Sequence, residues 1–386
     1  MMVHSYLEEM VPGYLIPGKT NVLTCGELFT GCGGMLTGLA QAGFGHRWVN
    51  EVDATACTTL RNNLQGHQLA ESPRVIEGDM RDIDWSDIDA VDLVAGGPPC
   101  QPFSKGGRAA GETDPRDMWP EAIRAVRTLQ PPAFLFENVK GLLRPGFSQY
   151  LARILDGLRC GDGNGSECGD KYEVAVIAVN AADYGAPQKR ERVLIAGVRK
   201  DCGSLLPFPS ATHSVERLVW EKWISGCYWD RHGLARPACG PTSRFERTAF
   251  RTLSRTRVEP EGLPWVTCRD AFAGLGEPTL GDDPLRHEYR AGARAYPGHE
   301  GSEIDQPAKA LKAGCHGVPG GENMLVDGMG AARYFTVREA CRLQGMPDTF
   351  VPAGSSSRAL RQLGNAMPVQ LARAAGHWIR QCMSAR

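Results

Sequence analysis

The feature that most limits how this chain can fold is the short apolar run Val91-Asp92-Leu93-Val94-Ala95, broken at once by Gly96-Gly97-Pro98-Pro99. Such a run reads as a strand buried on both faces, which calls for a parallel sheet covered by helices. The glycines and prolines stop the strand and hold a turn, so Cys100, Gln101 and Ser104 emerge at the carboxyl end of the sheet. Ligands and catalytic groups gather at that edge in open α/β folds. A cysteine is most often a small buried hydrophobe. One set between a proline turn and polar neighbours is poorly placed for a core and well placed to attack a ligand, because its thiolate is a strong nucleophile whose pKa nearby N–H groups lower.

The flanking segments supply partners for that strand. Residues 22–28 read as a first strand, which passes through Phe29 into the loop Thr30-Gly31-Cys32-Gly33-Gly34 and a helix from Met35 to Gln41. Glycines there admit close backbone approach to a ligand and the helix start offers free N–H groups, although a Gly-rich turn alone is shared by many folds. Trp48-Val49-Asn50 is a second strand ending in Glu51 and Asp53, where an acid accepts hydrogen bonds from a ribose diol in nucleotide-binding units. Arg74-Val75-Ile76-Glu77 is a third, followed by Gly78 and by Asp79, which can take a base amino group while Met80 packs on the ring. Each acid alone is more often a helix cap or a surface charge; three strands in succession ending in glycine or acid favour a nucleotide.

Beyond the cysteine, Lys105 to Pro115 reads as a polar loop over the site and Met118 to Leu129 as a helix. Ala133 to Phe136 is a fifth strand delivering Glu137 and Asn138, a carboxyl group placed as a candidate general acid. Ser148 is positioned to cap a helix from Gln149 to Leu158. Tyr172–Asn180 and Arg192–Val198 complete a seven-strand sheet with helices on both sides, and the loop between them raises Lys189 and Arg190 to the rim, where they would grip a phosphate or a base carbonyl.

The pattern changes near Pro207. From there to about Met329 clean periods are few and prolines many, which predicts a smaller domain of loops and short strands. Regular structure returns at Thr336-Val337-Arg338-Glu339, a capping box, and after Gly364-Asn365-Ala366-Met367-Pro368 a helix from Val369 to Cys382 can pack on the large sheet. The expected division is therefore a catalytic and cofactor-binding part at 20–206, a second domain at 207–329, and a return to the first at 330–386. The net charge of −1 does not announce a polyanion, but its distribution is uneven. Between residues 231 and 257, seven arginines (Arg231, Arg236, Arg244, Arg247, Arg251, Arg255 and Arg257) stand against one acid, Glu246. That segment reads as a phosphate footprint, or else as a solvated face. The thirteen cysteines are odd in number and include no Cys-x-x-Cys pair, which suggests reduced thiols in a cytosolic protein; Cys160, Cys168, Cys227 and Cys239 match no compact zinc spacing, and no metal is expected. No apolar run has membrane length, and the first nineteen residues read as neither signal peptide nor anchor.

Taken in order, these elements make the chain resemble bacterial DNA (cytosine-5)-methyltransferases over Val22–Val198 and Arg333–Ala374. The resemblance implies an α/β fold: a Rossmann-like methyltransferase domain with a mainly seven-strand mixed sheet, and a smaller irregular target-recognition domain. It implies that Cys100 attacks C6 of a cytosine, that Glu137 acts on the same base, and that Gln188, Arg190 and Arg192 form the family's Gln-x-Arg-x-Arg element. S-adenosyl-L-methionine would be held by Phe29, Gly31, Gly33, Gly34, Glu51, Asp79 and Met80, with Asn365 completing the pocket. Ser104, Lys105 and Arg108 join Gln188, Arg190 and Arg192 as expected substrate contacts. Two positions depart from the family: Glu27 stands where aspartate is usual, and Val52 where tryptophan is frequent, leaving adenine stacking to Phe29 or Trp119. The implied partner is double-stranded DNA with its target base rotated out of the stack, acted on by a cytoplasmic monomer, and a restriction endonuclease of the same site is an admissible companion. The alternatives are an RNA cytosine-5 methyltransferase, a non-catalytic DNA-binding relative, and a dinucleotide-dependent oxidoreductase, the last of which gives the Pro-Pro-Cys thiol no role.

Overall fold

The computed structural model describes residues 22–64, 72–99, 116–160, 170–297, 300–313, 323–326 and 331–385, with the side chain of Arg244 outside that set. The first part of the chain alternates strand and helix: β1 (Leu23–Leu28), α1 (Gly34–Gln41), β2 (Phe44–Glu51), α2 (Ala54–Leu64), β3 (Arg74–Glu77), β4 (Leu93–Gly96), α3 (Trp119–Leu129), β5 (Ala133–Val139), α4 (Ser148–Arg159), β6 (Tyr172–Asn180), the two-residue β7 (Gln188–Lys189) and β8 (Glu191–Arg199). Seven strands form one sheet in the order β3-β2-β1-β4-β5-β8-β6. All pairs are parallel except those of β8, which runs antiparallel to both β5 and β6. The sheet is therefore mixed, as expected. Its strand order reverses between β1 and β4, which opens a crevice at their carboxyl ends.

Residues of alternate parity fill the two faces. Leu93, Ala95, Ala133, Leu135, Leu194 and Ala196 pack on one side, and Val94, Phe134, Phe136, Val193 and Ile195 lie on the other, beneath α3 and α4. Both parities are apolar, so the central strands appear in the sequence as unbroken hydrophobic runs. Ser148 lies inside α4 instead of capping it: the preceding Phe147 occupies the cap position and no side chain satisfies the first N–H groups.

The later helices are α5 (Val215–Val219), which runs into a π-helical turn at Trp220–Ser225, then α6 (Cys227–Arg231), α7 (Arg244–Thr256), α8 (Cys268–Phe272), α9 (Val337–Leu343), α10 (Ser356–Asn365) and α11 (Val369–Ser384). The capping box of Thr336 and Glu339 at the start of α9 is formed. Helix α11 closes the first face of the sheet against α1 at short range, since a Cβ on Gly38 would stand 2.4 Å from that of Ala372.

The second domain departs from the expected loops and short strands. Its first half is helical, with a core of Leu218, Val219, Trp223, Tyr228, Trp229, Ala249 and Leu253. Short strands occur as well, as expected: His213–Ser214 pairs in parallel with Leu263–Pro264, and Ala308–Lys309 with β7. Trp265 donates to Asp183 at 2.9 Å, a second tie to the sheet. Among the described residues no helix is long and apolar enough to cross a membrane.

Candidate active site at the carboxyl edge of the sheet

β1 leaves the sheet through Phe29, whose φ of +54° is a left-handed conformation rare for an aromatic residue. The turn is held by its neighbours: Thr30 N–H donates to the Asn50 carbonyl at 3.0 Å, and Gly31 N–H to Glu51 Oε2 at 2.8 Å. The other oxygen of Glu51 accepts the N–H groups of Val52 and Asp53, both at 2.9 Å. Three backbone donors fix this carboxylate and leave acceptor capacity on Oε2, since a carboxylate offers about four lone-pair sites. A Cβ on Gly31 would meet nothing within 4 Å and its φ is +58°, so this backbone faces open space. Gly33, φ +93°, starts α1. An acceptor for a diol, an open glycine backbone and a helix start beside an aromatic ring fit an adenosine-containing cofactor.

Other expected cofactor residues have different work. Gly34 is a packing residue, since a Cβ there would stand 2.3 Å from the Met367 carbonyl oxygen. Met80, 2% exposed, belongs to the core with Trp48 and Trp85 and presents no face to a ring. Trp119 is fully buried, edge-on to Phe136 at 5.7 Å, whereas Phe29 stands at the open turn. The side chains of Met80 and Trp119 both lie in the apolar layer on the α3 side of the sheet. Asp79 caps the turn that follows β3 and forms a fork with Arg81, whose guanidinium holds its carboxyl below the usual range. Asn365 is exposed at the end of α10. Glu27 is turned inward, 3.2 Å from His46 on β2; burial raises its pKa against the opposing pull of the imidazole.

β4 and β5 end side by side next to this crevice. Glu137 and Arg192 form an ion pair, each side chain 12% exposed. Glu137 Oε2 lies 3.5 Å from where a Cβ on Gly97 would stand, so the carboxyl sits at the base of the turn that leads to residue 100. Asn138, buried, donates through Nδ2 to the Pro98 carbonyl at 3.1 Å while its Oδ1 accepts Val139 N–H at 2.9 Å. The sequence shows Asn138 directly after Glu137, but nothing in that spacing assigns it this anchoring bond. Cys100, Ser104, Lys105 and Arg108 lie outside the described residues. Two thiols near the crevice, Cys32 and Cys341, are buried and pushed up by desolvation, Cys341 to about 12, which leaves them unreactive.

Of the two basic side chains expected at the rim, Lys189 is exposed but Arg190 is not, and Gln188, expected beside the substrate, is buried as well. Arg190 is 2% exposed, and its guanidinium donates to the carbonyls of Leu311 at 2.9 Å and Gly364 at 2.8 Å. Gln188 is fully buried and donates to the Leu343 carbonyl at 2.6 Å. These two side chains join β7, the end of the second domain and the C-terminal return; only Arg192 reaches the crevice. The seven arginines also divide. Arg231 pairs with Glu221 at 2.8 Å and Asp270 at 3.3 Å, and Arg236 donates to the Trp223 carbonyl. Arg247, Arg251, Arg255 and Arg257 are exposed.

Residues 23–221 and 289–381 match the family model of the C-5 cytosine-specific DNA methylases. The chain is 30% identical over 362 residues to the type II methyltransferase M.NgoMIV of Neisseria gonorrhoeae, covering 92% of this chain and 96% of that protein. It is 32% identical over a 390-position alignment to the type II methyltransferase M.PspPI of Psychrobacter, covering 100% and 84%. In fold it is similar to a DNMT2 of Spodoptera frugiperda, with a TM-score of 0.59 at 15% identity over 94% of this chain and 99% of that one.

Proposed function

The chain belongs to the C-5 cytosine-specific DNA methylase family and is a DNA (cytosine-5)-methyltransferase that draws on S-adenosylmethionine, and from that premise we propose that it acts on one cytosine of a specific double-stranded sequence through a covalent bond from Cys100 to C6. The cofactor, which Phe29, Gly31, Gly33 and Glu51 would hold, would supply a methyl group on an electrophilic sulfonium and leave as the neutral thioether. Cytosine C5 is a poor nucleophile while the ring is aromatic. Addition of the Cys100 thiolate to C6 breaks that aromaticity and moves an electron pair toward C5 and N3. Glu137, sharing a proton with N3, spreads the developing charge, and Arg192 holds Glu137 in place. Once C5 carries the methyl group, a base takes the C5 proton, the freed electron pair restores the C5–C6 double bond and expels Cys100 as thiolate, and N3 gives up its shared proton to Glu137.

The observation that carries this reading is the Glu137–Arg192 pair set against the turn tied down by Asn138. A thiol cannot reach C6 inside a stacked duplex, so the base is rotated out at a cost of about a few kcal/mol. Residues 207–329 act as the target-recognition domain in this proposal, and a restriction endonuclease of the same site is its companion, as the type II names of the relatives suggest. The test uses labelled cofactor and a duplex bearing 5-fluorocytosine, whose C5 cannot lose its substituent. The wild type should form a covalent adduct stable to denaturation; no adduct, or an undiminished one with Cys100→Ala, overturns the mechanism. A bisulfite map of DNA from an expressing host identifies the site.

A further inference from the structure

Helix α7 has two unlike sides. Glu246, Ala249 and Leu253 are buried in the core of the second domain, while Arg247, Arg251 and Arg255 are all exposed. Their spacing of four residues sets them in a row with a step of about 6 Å along the axis. No side-chain hydrogen bond or ion pair joins any of the three to another described residue. The acid of the helix, Glu246, is turned away and taken by Lys222 at 2.7 Å. On the facing helix α5, Arg217 is paired with Glu221 and Glu259, and Glu216 lines the groove beside Phe245, Thr248 and Thr252, off the line of the arginines. The row is thus a one-sign ridge with no counter-charge of its own.

The ridge is also fixed relative to the crevice. Lys222 Nζ, which holds Glu246, donates in addition to the Asp305 carbonyl at 2.9 Å. Three residues on, Ala308–Lys309 pairs with β7, the strand that leads into Arg190 and Arg192. Charge that is regular, unpaired and rigidly tied to the site suits a polyanion with regularly spaced charges better than an irregular acidic surface.

We propose that Arg247, Arg251 and Arg255 form a rail for the phosphate backbone of the DNA substrate, adding affinity and register but no sequence preference. This rests on the DNA-methyltransferase reading and assigns the phosphate-binding role to α7, excluding Arg231, paired with Glu221 and Asp270, and Arg236, engaged with the Trp223 carbonyl. Cations on phosphates position a protein without reporting sequence, and each phosphate left unneutralised lowers the steepness of the salt dependence by about 0.9 in log–log slope.

The test is fluorescence anisotropy of two labelled duplexes, one with the mapped site and one scrambled, over a range of salt concentrations. In the triple variant Arg247→Gln, Arg251→Gln, Arg255→Gln the slope should fall by about 2 to 3. Both duplexes should weaken by the same factor, about ten-fold or more at moderate salt, and the lysine triple variant should restore most of the loss. Arg74→Gln, which removes an exposed arginine from the outer strand β3, is the control and should leave the slope alone. An unchanged slope in a triple variant with wild-type circular dichroism overturns the rail and leaves the ridge to a protein partner. A changed preference between the duplexes overturns it as well, because the row would then read bases. Should the wild type form the 5-fluorocytosine adduct while the slope stays put, the rail alone fails; should it form none, the underlying reading fails.

Discussion

At the scale of single residues, the site depends on side chains whose neighbours leave them one orientation. Glu137→Gln keeps the shape but removes the charge that Arg192 holds, so the methylation rate under saturating cofactor should drop by about 10²- to 10⁴-fold. Steady-state incorporation of labelled methyl groups reads this directly, and a drop below about five-fold would argue against a role for Glu137 at the base. Asn138→Ala strands the Pro98 carbonyl without its donor at a loss of about 1–3 kcal/mol, and loosens the turn that carries the thiol. The single-turnover rate should therefore fall about ten-fold or more while cofactor affinity, measured by calorimetry, stays within about two-fold; equal losses in both would mean general disruption. Arg190 and Arg192 separate in the opposite sense. Arg190→Lys keeps the charge but cannot serve both carbonyls, so it should lower stability by about 2–4 kcal/mol in urea titration, whereas Arg192→Lys should affect turnover more than stability.

At the scale of elements, the seam between the sheet and the second domain carries a titratable switch in stability. His213 lies 2.8 Å from where a Cβ on Gly185 would stand and is lowered to about 4 by burial, with Arg373 adding to the effect. In the unfolded chain a histidine titrates near 6.5, so this contribution is whole above that pH and is lost as pH falls toward 4, by roughly 2 kcal/mol after allowance for partial exposure. His213→Gln should flatten the decline of Tm with acidification over that window; an unaltered decline would place the acid sensitivity elsewhere. The same seam shows where sequence reading works. The seven strands are legible because β4, β5 and β8 are apolar on both parities and end at glycine or a charged residue, signals that need no tertiary knowledge. Glu137, Phe29 and Glu51 are legible because a strand end fixes where they emerge. Gln188 and Arg190 are not, since spacing gives no sign of which side of a two-residue strand faces Leu311 and Leu343. Helix α7 is hidden for a different reason: its buried side has only Ala249 and Leu253 as fully buried apolar residues, set among arginines and threonines that show no apolar run.

At the scale of the molecule, the question is what holds a helical unit with a small core in one position against a large sheet. The Lys222–Glu246 pair is internal to the helical unit, both side chains being buried, 3% and 2% exposed, but the ammonium group also reaches the Asp305 carbonyl, close to the strand that pairs with β7. It sits against the rings of Trp223, Tyr228 and Trp229 at 5.5 to 5.8 Å, so water cannot replace a missing partner. Lys222→Met should then destabilise by about 3–5 kcal/mol, since Glu246 is left charged and alone in an apolar surround. Adding Glu246→Leu should recover most of that loss, as two desolvated charges are exchanged for packing. The recovery would be incomplete in function: without the bond to the Asp305 carbonyl, the core that carries α7 is held to Asp305 by the Tyr228 hydroxyl, at 2.7 Å, and its distance to β7 is less firmly set. The double variant should fold with a urea midpoint near that of the wild type yet show a higher KM for DNA, by about five-fold or more. A double variant with both values restored would mean that packing alone orients the unit and that the buried charges set nothing in the geometry of substrate binding.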